Sequence, residues 1–159
     1  MMCNRIFTIT CRGGKAVLFS NKPDSKGRRH YQKFTASSTN NASIKALIKV
    51  LQIIPDDCQE QVAILAPEGV SCLSFDDTRA FWIENECTKT GEVLSEETFC
   101  LVAELDELLE TKRDKVQIFG HRYVKSYKYK CEIKRAWDYT DKILPVQYVA
   151  STSSSDFDF

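Results

Sequence analysis

The chain has 159 residues, 43% of them hydrophobic, with 22 Lys/Arg balanced by 22 Asp/Glu. That length and apolar content fit one domain with a buried core, and no apolar run is long enough for a membrane-spanning helix. The neutral total is uneven: residues 1–61 carry ten Lys/Arg against four Asp/Glu, residues 62–111 two against twelve, and residues 112–149 ten against four. Two basic segments therefore flank an acidic one. If they meet in space they form a patch suited to phosphates; otherwise they are solvated faces.

"RIFTITC" is β-branched and aromatic and reads as a strand; "RGG" turns it into a second strand, "KAVLFSN". After the polar turn "KPDSKGRR", "HYQKFTA" alternates as a third strand, and short turns between the three predict an antiparallel meander. Ser38 to Asn41 supplies N-cap candidates for a helix in which Ile44, Leu47, Ile48 and Leu51 share one face, and Pro55 follows its end. "EQVAILAP" reads as a buried strand and "DDTRAFWIENE" as a short helix. "LSEETFCLVAELDELLETK" is the clearest helix, with Ser95 as cap, glutamates in its first turn, and Lys112 and Arg113 at its end. "DKVQIFGH" is a fifth strand and "CEIKRAWDYTDKIL" a last helix. The order predicts an α/β domain over residues 1–145, a mixed five-stranded sheet flanked by helices. Residues 146–159 are expected to form a flexible acidic-aromatic tail.

Seven cysteines stand at 3, 11, 58, 72, 87, 100 and 131, with no CxxC pair and only two histidines, so no zinc-ligand spacing appears. Most lie in apolar surroundings, as in "CLSF" and "TFCLV"; Cys11, Cys87 and Cys131 are the candidates for exposed thiols. A reducing, cytoplasmic setting is expected, and "MMCNRIFTITCRGG" enters a strand with no signal-peptide pattern.

In chain order, "RIFTITC…GGKAVLF", "SSTNN…IKAL", "VAILAPEGV", "FWIEN", "LVAELDELLE" and "VQIFGH" resemble the segments of type 1 ribonuclease H, across residues 5 to 142. The most specific pieces are Thr39-Asn40-Asn41 before the first helix and Gly120-His121 after the last strand. The resemblance implies a site of converging carboxylates that hold two divalent metal ions for phosphodiester hydrolysis. Here the chain departs from the family. The four acid positions fall on Ile9, on Ile44 (or Ser43 with a one-residue deletion), on Pro67 and on Cys131, none of them acidic. Glu68 and Glu132 lie beside two of the vacancies, but a strand neighbour faces the opposite side and a helix neighbour is rotated by about 100°. His121 matches the family histidine and would have no metal to work beside. No catalytic residue, metal or other cofactor is therefore expected.

The Thr39-Asn40-Asn41 run either meets a nucleic-acid backbone, as the resemblance implies, or caps the helix. The place of the family's basic, hybrid-gripping insertion is the acidic "ENECTKTGEVLSEETF", which repels phosphates. In "HRYVKSYKYKCEIKR", Arg122, Lys125, Lys128 and Lys130 interleave with Tyr127 and Tyr129, a pattern in which bases stack while cations meet phosphates; the alternative is an exposed loop or a lysine-protected edge strand. The tail ends in Asp156, Phe157, Asp158 and Phe159, which resembles the acidic, phenylalanine-ended tips of single-stranded-DNA-binding proteins and marks a candidate partner-binding peptide. The expectation is an inactive ribonuclease H-like binding module for an unidentified protein partner, a nucleic acid or both, with no membrane role. Such loss of all four acids fits a fast-diverging viral or phage genome. The alternative is a divergent metal-dependent nuclease using displaced carboxylates.

Overall fold

The computed structural model describes residues 3–144 and 157–159. Five strands, β1 (Arg5–Arg12), β2 (Lys15–Ser20), β3 (His30–Thr35), β4 (Val62–Ala66) and β5 (Val116–Gly120), form one sheet in the order β3-β2-β1-β4-β5. The β1–β2 and β2–β3 pairs are antiparallel, and β1–β4 and β4–β5 are parallel. The meander and the mixed sheet are thus as expected. Parallel pairs need crossovers, and these are helical: α1 (Thr39–Ile53) joins β3 to β4, while α2 (Glu68–Ser71), α3 (Asp76–Asn85) and α4 (Glu96–Lys112) lie between β4 and β5. The last helix, α5 (Tyr127–Ile143), follows β5.

Period-two alternation sorts the sheet's side chains between two layers. Phe7 and Ile9 of β1, Ala16 and Leu18 of β2, and Ile64 of β4 enter the large core with Ile44, Leu47 and Leu51 of α1 and Val102 and Leu105 of α4. The opposite face meets α5: Ile6, Ala63 and Leu65 pack with Tyr129, and Val17, Phe19 and Tyr31 with Ala136 and Ile143. Serines cap three helices. Ser38 Oγ accepts from Asn41 N at 3.1 Å, Ser95 Oγ from Thr98 N at 3.1 Å, and Ser126 Oγ from Tyr129 N at 3.4 Å.

Two differences from the sequence reading have local causes. The last helix begins at Tyr127 rather than Cys131, because Ser126 caps it and Tyr129 turns inward. Arg79 is fully buried, its guanidinium donating to Leu73 O and Asp106 Oδ1, each at 2.9 Å, and to Asp76. That paired charge ties α3 to α4. All seven cysteines are free, and the exposed one is Cys100 on α4; Cys11, Cys87 and Cys131 are half-buried. Among the described residues no helix is long and apolar enough to cross a membrane.

Candidate functional site

Strand register assembles the region where the resemblance places a catalytic centre. Thr8 of β1 lies opposite Leu65, and Ala66 opposite Gly120, so Ile9, Pro67 and His121 follow neighbouring positions on three parallel strands. The first turn of α1 joins this end of the sheet through Thr39 Oγ1, which accepts from Gly14 N at 2.7 Å. Ile9 and Ile44 are both buried, at 0% and 1% exposure, and belong to one apolar cluster. Two positions where the resemblance calls for carboxylates are therefore core. Ser43 is also buried, and its hydroxyl donates to Thr39 O at 3.1 Å. Pro67 begins the turn into α2. Cys131 lies one turn beyond Tyr127 on α5 and is half-buried.

The α5 residue that meets His121 is Trp137. Its indole Nε1 donates to His121 Nδ1 at 3.2 Å, and the rings cross edge-on with centroids 6.0 Å apart. An indole N–H only donates, so His121 Nδ1 is the acceptor and Nε2 carries the proton. Nε2 then donates to Leu65 O at 3.1 Å. Burial pushes the His121 pKa below its ordinary value, against the opposing pull of the Leu65 carbonyl and the Glu68 carboxylate. Both ring nitrogens are thus committed within a neutral imidazole. Further along the same sheet–α5 seam, Thr10 and Thr140 hydroxyls meet at 2.6 Å, and Thr140 donates to Ala136 O at 2.8 Å.

The displaced acids do not converge. Glu68 Oε1 accepts from Arg122 N at 2.9 Å. Glu132 pairs with Arg135 and lines a groove of about 240 Å³ with Ser20, Asn21, Arg28 and Arg29. Among the described residues no three His, Cys, Asp or Glu side chains are grouped to hold a metal ion. The same groove shows that the two basic segments do meet, since Arg28 and Arg29 come from one and Arg135 from the other. Arg28 is paired there with Asp24, and Arg29 sits over the Tyr139 ring.

Two candidate nucleic-acid residues, Asn41 and Tyr129, prove to be internal. Asn41 is 3% exposed: its Nδ2 donates to Ser37 Oγ at 3.3 Å and its Oδ1 accepts from Thr98 Oγ1 at 2.9 Å. It joins α1 to α4 rather than facing solvent. Asn40 stays exposed while its side chain lies over Gly69, where a Cβ would overlap its Oδ1, so that glycine permits the close approach of α1 and α2. Tyr129 is 5% exposed, and its hydroxyl accepts from Cys3 N at 2.9 Å. What stays accessible is a cluster around the start of α5: Arg122, Lys125, Lys128 and Lys130 are exposed, as are Tyr123 and Tyr127 at 73% and 82%. The acidic replacement for the family insertion folds as a small hairpin in which Cys87 bridges Val93.

The tail also departs from expectation. Asp156 lies outside the described residues, but Phe157 is 6% exposed and belongs to the main core cluster, with Phe159 packed against it. The Phe157–Phe159 tip is thus packed against the sheet's core. No sequence signal could have paired it with β1 and β3.

The fold these elements define is ribonuclease H-like. Among solved structures the chain is similar to native prototype foamy virus protease-reverse transcriptase, with a TM-score of 0.58 and 12% identity over 94% of this chain and 21% of that one. It is similar to the foamy viral protease-reverse transcriptase in complex with an RNA/DNA hybrid, with a TM-score of 0.55 and 12% identity over 81% of this chain and 18% of that one. Thus the chain spans only about a fifth of either protein. The foamy virus RNase H domain matches over 82% of this chain and 88% of its own, with a TM-score of 0.52 and 11% identity. No protein-family model and no curated protein sequence matches.

Proposed function

We propose that this chain is a catalytically inactive ribonuclease H-like protein that binds nucleic acid without cleaving it. The observation that carries the reading is the state of His121. Its Nδ1 is taken by Trp137 and its Nε2 by Leu65 O, beside a core that contains Ile9 and Ile44. A histidine held neutral with both nitrogens occupied neither moves a proton nor orients a water. Hydrolysis by the family route also needs several converging oxygens, and Glu68 and Glu132 are engaged apart from one another.

Binding is assigned to the exposed cluster of Arg122, Tyr123, Lys125, Tyr127, Lys128 and Lys130. Its cations neutralise phosphates and its tyrosines offer faces to unpaired bases. That nucleic acid is the ligand class is supported by the fold shared with a protein solved on an RNA/DNA hybrid. The test is a titration of single-stranded RNA, single-stranded DNA and hybrid at several salt concentrations. Affinity is expected to fall steeply with salt, and Lys125→Glu/Lys128→Glu/Lys130→Glu to weaken it throughout. Absence of binding at low salt refutes the proposal.

A protein partner is the second reading. Phe75 is 63% exposed and borders a groove of about 320 Å³ with Leu109, Val116 and Ile118 beside the edge strand β5. Co-purification of a stoichiometric protein, lost on Phe75→Ser, would favour it.

A further inference from the structure

Phe157, Asp158 and Phe159 occupy a groove whose walls come from the opposite end of the sequence. Phe157 stacks on His30 with centroids 4.4 Å apart and rings within 2° of parallel, and tilts against Phe7 at 6.1 Å. Phe159 lies 6.0 Å from the Phe7 ring and beneath the Arg5 guanidinium, which is 4.5 Å from its centroid. Between the two aromatics, Asp158 N–H donates to His30 Nε2 at 3.1 Å, and Arg5 Nη2 donates to Phe159 O. Asp158 Oδ1 also lies 3.1 Å from His30 Nε2, while its side chain is 84% exposed. His30 itself is 4% exposed.

These features have the anatomy of a peptide site that opens onto the main core cluster. Two apolar positions flank an outward-facing acid, and the wall supplies one acceptor and one donor to the peptide backbone. The occupant contributes no strand or helix to the fold. Along the sequence 12 residues separate it from Leu144, and a chain of that length spans at most roughly 40 Å. A ligand joined to its site through the same chain is presented at an effective concentration on the order of millimolar.

We propose that the groove formed by Arg5, Phe7 and His30 is a recognition site for a Phe-acid-Phe segment. The chain's own Phe157–Phe159 is its tethered ligand, and the same segment of a second copy binds only in exchange for it. The tip is then available to another molecule only when undocked, and the groove only when vacated, so each masks the other. Trans binding is reduced by the fraction of chains whose tip is docked.

The full-length chain is used throughout. Phe157→Ala/Phe159→Ala disables the tip and leaves the groove. A synthetic peptide of residues 153–159 should bind this variant and bind the wild type at least tenfold more weakly, because the wild-type groove is filled. A peptide with both phenylalanines replaced by alanine should not bind. Mixing the tip-disabled chain with an Arg5→Ala chain, whose tip is intact but whose groove is impaired, should give a 1:1 heterodimer in sedimentation velocity that neither forms alone. Should the double variant fail to fold, Phe159→Ala replaces it; because it keeps the Phe157 stack on His30, it should bind the peptide more tightly than the wild type does, and an affinity equal to the wild type's overturns the proposal. Equal peptide affinity for wild type and variant, no binding to a folded variant, or a mixture that stays monomeric each overturns the proposal.

Discussion

Ile9→Asp puts a carboxyl back where the resemblance calls for one, and the surroundings decide what happens. Ile9 is fully buried beside Ile44, with no cluster of three potential metal ligands among the described residues. Losing the burial of an isoleucine costs about 1.5–3 kcal/mol. An unpartnered polar group in its place adds about 1–3 kcal/mol even when the carboxyl stays protonated. The sum of about 2.5–6 kcal/mol is a large part of an ordinary domain's stability and lowers Tm by roughly 5–24 °C for a chain of this size. Burial would raise the introduced carboxyl's pKa above its unfolded value of about 3.9. The deficit is then smallest below that pH and grows as pH rises through the folded value. Thermal unfolding across pH, with and without Mg²⁺, checks this. A variant within about 1 kcal/mol of wild type and further stabilised by Mg²⁺ would show a latent metal site and refute the reasoning.

Other outcomes follow from the same contacts. Phe157→Ala should cost roughly 3–5 kcal/mol in denaturant unfolding, because Phe157 is buried in the main core cluster. Tyr127→Ala should weaken nucleic-acid binding with little change in stability. Tyr129→Phe should do the reverse, since its hydroxyl serves Cys3 N; equal effects on binding would contradict the placement of the interface. The folded pKa of His121 lies below its ordinary value of 6.5, so its contribution to stability is present above pH 6.5 and lost as pH falls through the folded value. Tm should therefore decline on acidification below 6.5, and His121→Gln should flatten that part of the profile.

Much of the fold was legible because its signals are local. Ile44, Leu47, Ile48 and Leu51 announced α1 by spacing, and all four are buried. The start of α5 was obscured by its lysines and tyrosines, which read as a loop until Ser126 is seen to cap it. The sequence alone set Ile9, Ile44, Pro67 and Cys131 where the resemblance calls for acids. What meets His121 could not be read there: Trp137 reaches it across 16 residues only through the phase of α5. Asn41 and Tyr129 read as surface groups because their partners, Thr98 and Cys3, lie 57 and 126 residues away. Long-range pairing of that kind leaves no periodic trace, and the docking of Phe157 on His30 is another instance.

Incubation of the purified chain with a labelled RNA–DNA hybrid and Mg²⁺ or Mn²⁺ tests the loss of chemistry most directly. The hybrid should be retained in a salt-sensitive complex and recovered intact. Metal-dependent cleavage that survives repurification and disappears in Glu68→Gln or Glu132→Gln would contradict the inactive assignment and establish a nuclease built on displaced carboxylates.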